Sequence, residues 1–235
     1  MIKDNFETYG QLVYDAYRDN VHSVEFLGRL KNDVGVEIEH FFKNAEKADL
    51  VRWFNHQIDE AIEFYRTTGF EPHVNIDLSV FDEITRLEAW EREAEDVKFT
   101  LEVTQVQGVP DLEIISQLKD PKNFPTKWPW KGITLALDDY DMNNMKQIEI
   151  LKDYKFDIIK IDKSLVSKAE SDYKIYKHLL DMKKNFNSNF IVEGVETAAQ
   201  YRMLTDMGFH LFQGYFFHKP ERLEDIISAY KNYNI

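Results

Sequence analysis

The chain has 235 residues, 43% of them apolar, enough for one β/α barrel or two smaller domains and for a substantial core. Its 29 basic and 42 acidic residues give a formal charge of −13 with the basic residues dispersed, which argues against binding long nucleic acid through its phosphates. Cysteine is absent, which excludes disulfides, thiolate-held zinc or iron–sulfur clusters and thiol nucleophiles, so any metal must be held by oxygen or histidine.

In chain order, strand patterns are predicted at 9–15 (YGQLVYD), 22–30 (HSVEFLGRL), 72–80 (PHVNIDLSV), 98–105 (KFTLEVTQ), 133–139 (ITLALDD), 156–162 (FDIIKID), 189–195 (NFIVEGV) and 210–217 (HLFQGYFF). Helical patterns fall between them at 41–68, 80–96, 143–154, 165–186 and 197–207, with a last one near 221–233. Eight strands alternating with helices predict a closed β/α barrel. The first two strands are joined only by a short polar connection around Arg18–Val21, too brief for a crossover helix, so they should pair antiparallel. Residues 119–131 (KDPKNFPTKWPWK), with three prolines and two tryptophans, read as an irregular excursion packed onto the barrel. No apolar run reaches the roughly 20 residues of a membrane span, and the amino terminus is too polar for a signal peptide. A cytoplasmic protein without membrane contact is the expectation.

Polar residues recur toward the carboxyl ends of these strands: Glu25, Asn75, Glu102, Asp138 with Asp139, Lys160, Glu193 and Gln213. Any one of them could cap a strand or meet solvent. Recurrence on successive strands instead describes one rim, where β/α barrels build active sites. Carboxylates and an amide without thiolates are hard ligands suited to Mg²⁺ or Mn²⁺. Two such ions can support phosphodiester hydrolysis. A lysine among acids stays protonated and is placed to orient water or neutralise developing charge.

The segments VEFLGR, VNIDLS, LEVTQ, LALDD, IIKID, VEGVET and QGYFFHKP, in this order, resemble the EAL domain family, the phosphodiesterases and receptors of the bacterial second messenger cyclic di-GMP. The resemblance runs from about Phe6 to Pro220. It implies a (β/α)8 TIM-like barrel whose first strand is antiparallel to the others. A single barrel domain over 1–235 without an attached sensor or cyclase module is the expectation from the chain itself. The resemblance implies Glu25, Asn75, Glu102 and Asp138 as ligands of a first metal, with Asp138 and Asp139 contacting a second. Lys160 then positions the hydrolytic water, Glu193 supports it and Gln213 lies beside it. Arg29 and Gln11 match substrate-binding positions, and Glu196 matches a further one.

The chain departs from the family pattern in one region. A glycine-rich loop normally follows the paired aspartates, whereas Asp139 is followed by YDMNNMK, and Gln105 stands where a glutamate braces that loop. Asp141 and Asn143 are expected to supply the left-handed backbone that glycines would allow. Two readings follow. One is a two-metal phosphodiesterase opening cyclic di-GMP to linear pGpG. The other is an impaired domain that acts as a cyclic di-GMP receptor or protein-interaction module. The altered loop also bears on family-type homodimerisation.

Overall fold

The computed structural model describes residues 6–31, 45–77, 97–104 and 133–231. The predicted helix 80–96, residues 41–44 of the predicted helix 41–68, Gln105 and the segment 119–131 lie outside them. The described elements are β1 (Phe6–Asp15), β2 (Asn20–Leu30), α1 (Lys47–Thr68), β3 (Glu71–Asp77), β4 (Phe99–Thr104), β5 (Ile133–Tyr140), α2 (Met145–Asp153) and β6 (Ile158–Ile161). They continue with α3 (Lys163–Ala169), α4 (Tyr173–Asn185), β7 (Asn189–Val192), α5 (Ala198–Asp206), β8 (Leu211–Phe212), β9 (Glu221–Arg222) and α6 (Leu223–Tyr230).

Strands β2 to β8 pair in parallel, each with the next in sequence. β1 closes the barrel by pairing antiparallel with β2 on one side and β8 on the other. The turn at Ala16–Asp19 is as short as the sequence predicted, and Asp15 Oδ1 accepts from the Tyr17 (2.9 Å) and Arg18 (3.3 Å) backbone N–H groups to hold it. The two-residue β9 then adds to the edge of β1 near Tyr9 and Gly10.

Side-chain alternation divides the core in two. Leu135, Leu137, Ile159, Ile161, Phe190, Val192 and Phe212 belong to the large cluster between sheet and helices. The residues that alternate with them, Ala136, Ile158, Ile191 and Leu211, form a separate plug with Val13 inside the barrel. Burying a valine, leucine or isoleucine side chain of this plug is worth about 1.5–3 kcal/mol. Two residues further along each strand, on the same face, come Asp138, Lys160, Glu193 and Gln213. The apolar plug is therefore the floor on which the polar residues stand, and β1, running the other way, brings Gln11 there two residues before Val13.

The predicted helix 165–186 is two helices. The backbone N–H groups of Ser171 and Asp172 donate to the Lys168 carbonyl and end α3, and the Asp172 side chain accepts from Lys174 N (2.8 Å) to start α4. The last predicted strand, 210–217, is reduced to Leu211–Phe212. Turn bonds from the Phe217 and His218 N–H groups to the Gly214 carbonyl (both 3.0 Å) interrupt it. Phe217 then stacks on Phe212 and Tyr14 instead of extending the sheet. Among the described residues no helix is long and apolar enough to cross a membrane.

Candidate active site

Lys160, at the end of β6, is 1% exposed and carries its ammonium into the centre of the barrel mouth. It lies 2.7 Å from Glu102 Oε2, 2.8 Å from Asp138 Oδ1, 2.9 Å from Glu193 Oε1 and 3.2 Å from Glu25 Oε1. Five strands, β2, β4, β5, β6 and the end of β7, thus meet in one ion cluster. Burial opposes the charge on Lys160, but Asp138, Glu102, Glu193 and Glu25 outweigh it and raise its pKa well above the usual lysine range. It is a cation at any physiological pH.

One ammonium cannot neutralise four carboxylates. Burial, reinforced by Glu25, pushes Glu102 well above the ordinary carboxylate range, and burial does the same to Glu193. Burial also opposes ionisation of Glu25, but Lys160 and a 2.6 Å hydrogen bond donated by the Gln213 amide hold it below that range. Asp139 reaches solvent at the rim, yet partial desolvation and the charge of Asp138 push it up to about 6. The cluster is short of positive charge. Its donors are all hard oxygens, and oxygens of Asp138, Asp139 and Glu193 lie within 4.8 Å of one another. This donor set and this charge deficit fit a divalent cation of the Mg²⁺ or Mn²⁺ kind. Glu193, assigned from sequence to the water, thus stands with the two aspartates.

Asn75 is in register with Glu102 across β3 and β4. Gln213 donates to Gln11 Oε1 (3.3 Å) as well as to Glu25, while its own Oε1 is buried without a partner. Gln11 in turn donates to the His218 carbonyl (3.1 Å). Arg29 is half-buried near the end of β2, where its guanidinium donates to the Gly28 carbonyl (2.9 Å). Glu196 is exposed on the turn before α5, outside the buried ring, with its backbone N–H donating to Gln200 Oε1 (2.9 Å).

Two glycines let the last two strand ends deliver their residues. Gly194, directly after Glu193, has φ +62°, and a Cβ there would lie 2.3 Å from Lys163 Cβ. Gly214, directly after Gln213, passes so close to Val195 that a Cβ would fall 2.2 Å from its carbonyl oxygen. The capping box of Thr197 and Gln200 then starts α5 and fixes the chain that leaves Glu193.

The loop after the paired aspartates corrects the expectation from sequence. In this turn the left-handed conformation falls on Asp139 (φ +46°), not on Asp141 or Asn143. Asp141 instead accepts from the backbone and side-chain N–H groups of Asn143 (both 3.0 Å), and Asn144 caps α2 through Lys146 N and Gln147 N. Gln147, 5% exposed, holds the whole turn. Its amide donates to the carbonyls of both Asp138 and Asp139 (each 3.2 Å), and its Oε1 accepts from Asp141 N (2.9 Å). Sequence reasoning missed this residue. Its signal was a polar side chain in line with the buried Ile150, three residues on, on the face of α2 that meets the barrel.

His73 was also missed. It is fully buried one β3 pair below Asn75, with Nδ1 2.8 Å from Glu102 Oε1. Burial lowers its pKa to about 4, so the ring is neutral.

A barrel with an antiparallel first strand, whose mouth holds acids around a lysine, is the arrangement the seven motifs implied. A family model for the EAL domain matches residues 1–220. The chain belongs to the EAL domain family. One relative, the probable cyclic di-GMP phosphodiesterase PdeB of Escherichia coli K12, is 31% identical over 115 residues, covering 47% of this chain and 22% of that protein. The chain thus matches only a fraction of that relative's length. Among solved structures, an EAL domain protein of Listeria monocytogenes EGD-e superposes with a TM-score of 0.75 at 20% identity, covering 97% of this chain and 93% of that one. A standalone EAL protein of Vibrio cholerae O395, in its c-di-GMP-bound form, gives 0.69 at 21% identity with 93% of each chain covered. At these identities the structural likeness establishes the fold.

Proposed function

We propose that the protein hydrolyses cyclic di-GMP to linear pGpG with the help of Mg²⁺ or Mn²⁺. The observation that carries this reading is the ring of buried Glu25, Glu102 and Asp138 and half-buried Glu193 around Lys160, with Asp139 at its edge. Family membership and the compound named for the two relatives above supply the substrate.

Glu25, Asn75, Glu102 and Asp138 would hold one cation, and Asp138 and Asp139 a second. Bound there, divalent ions supply Lewis-acid polarisation of the phosphodiester and a water acidic enough to attack at neutral pH. Lys160 orients that water and offsets negative charge developing on the phosphoryl oxygens. Glu193 would accept a hydrogen bond from that water. The Gln213 amide N–H is occupied by Glu25, which leaves its unpartnered Oε1 to accept from the same water. Arg29 grips a phosphate of the ligand, and Gln11 and Glu196 border it.

The alternative, a receptor or protein-interaction module without turnover, draws on Lys160, which itself engages four ring carboxylates. The Gln147 clamp favours the enzyme, because the loop beside the two aspartates is built rather than lost. Incubation with cyclic di-GMP and Mn²⁺ or Mg²⁺, followed by separation of the nucleotides, should yield pGpG, and Glu25→Ala should abolish it. Binding without pGpG in either metal selects the receptor.

A further inference from the structure

Two polar rungs join β3 to β4 inside the barrel. Thr100 Oγ1 donates to Glu71 Oε1 (2.7 Å), and one layer nearer the mouth His73 Nδ1 meets Glu102 Oε1 (2.8 Å). The register sets His73 opposite Glu25 on β2 and Thr100 on β4, so its ring lies between two strands that each carry a carboxylate of the Lys160 ring. His73 and Glu102 are both 0% exposed. Neither has water to fall back on.

Glu102 is held at both oxygens, by Lys160 on Oε2 (2.7 Å) and by His73 on Oε1. Lys160 can only donate, so Glu102 faces it as an acceptor. For the ionised carboxylate the bond at Oε1 then needs a donor, which makes His73 the Nδ1–H tautomer and leaves Nε2 as a lone pair. Nε2 is buried without a hydrogen-bond partner. An N–H there would be the rarer kind of buried orphan, so the geometry on both sides of the ring selects the same tautomer. Each carboxylate oxygen still keeps a free lone-pair site after accepting one bond.

We infer that His73 is a positioning residue for the metal site: its Nδ1–H fixes the carboxylate plane of Glu102 so that the remaining lone pairs face the cation. This rests on the metal-dependent reading above. Histidine and carboxylate partners behind metal ligands change metal affinity by about 10–100-fold when removed. His73→Leu keeps much of the volume and loses the donor. His73→Asn places an amide N–H near the position of Nδ1.

The test is titration of the purified full chain with Mn²⁺ alone by calorimetry. His73→Leu should weaken binding about 10–100-fold, and His73→Asn should restore most of it. With cyclic di-GMP, the Leu variant should lose kcat at limiting Mn²⁺, regain it at high Mn²⁺ and leave KM for the nucleotide unchanged. Equal Mn²⁺ affinity for wild type and Leu variant overturns the inference, as does an Asn variant as weak as Leu, which would assign the effect to ring volume. A wild type that binds no Mn²⁺ overturns the metal-dependent reading instead. The ¹⁵N spectrum of the histidine rings, with the His73 signal assigned by its loss in His73→Asn, decides the tautomer independently of metal. Protonated Nδ1 with bare Nε2 supports the inference, and an Nε2–H ring overturns it.

Discussion

At the scale of single residues, the site is governed by the mismatch between one buried cation and the carboxylates around it. Removing Lys160 would leave Glu25, Glu102, Asp138 and Glu193 facing one another without compensation. Breaking a buried pair from one side costs about 3–5 kcal/mol. Lys160→Met should therefore abolish turnover and lower the melting temperature in chelator, and Mn²⁺ should recover part of the stability but none of the activity. Thermal melts with and without metal check this, and a variant as stable as wild type in chelator would show that the acids relieve one another by taking up protons. Asp139 gives a pH signature. Its pKa of about 6 lies above the 3.8 of the unconstrained side chain. An acid raised on folding contributes stability fully below its unfolded pKa, and that contribution is lost as pH rises through the folded one. Asp139→Asn tolerates the left-handed backbone equally well and cannot ionise. In chelator its melting temperature should match wild type below about pH 4 and exceed it above about pH 6. A variant no more stable than wild type at neutral pH would show that Asp139 is not under electrostatic strain.

At the scale of elements, the turn between β5 and α2 depends on Gln147. Gln147→Leu deletes three hydrogen bonds and leaves the Asp138 and Asp139 carbonyls and the Asp141 N–H without their partner, a loss of about 1–3 kcal/mol for each group that stays buried and unpaired. The expected outcome is a folded protein with weakened Mn²⁺ binding and a turnover number at least 10-fold lower. Calorimetry and pGpG formation measure both, and unchanged values would mean that Asn144 and Asp141 hold the turn unaided. Why Gln147 escaped the sequence reading is physical. The strand rim was legible because alternation fixes what faces inward, so Asp138, Lys160, Glu193 and Gln213 follow from their apolar neighbours two residues back. Gln147 acts through backbone carbonyls, and a side chain bonding to the main chain leaves no pattern beyond one polar residue on an apolar face. His73 escaped for a similar reason, since a lone histidine in a strand reads as core until its neighbour on β4 is known. The division of 165–186 at Asp172 and the early end of β8 at Gly214 rest on one cap and one turn, which periodicity blurs.

At the scale of the whole molecule, the ion cluster joins β2, β4, β5, β6 and the end of β7, so its charge state bears on the closed barrel and not on one loop. Closure itself rests on β1, whose antiparallel pairing with β2 and β8 leaves no open edge between first and last strand. Cation binding to the folded barrel, with no site in the unfolded chain, stabilises by mass action, about 2.7 kcal/mol at 100 times Kd. For a chain of this length that corresponds to a rise in melting temperature of roughly 5–11 °C over the chelated protein. The rise should appear as a shift of one cooperative transition, followed by far-ultraviolet circular dichroism, because five strands are bound through the same charges. It should shrink sharply in Glu25→Ala, which lacks one of the ring carboxylates, and persist in Arg29→Ala, which leaves the ring intact. A shift of equal size in Glu25→Ala would place the cation elsewhere on this acidic chain. A separate low-temperature transition that alone responds to Mn²⁺ would confine the coupling to the rim and leave barrel closure independent of it.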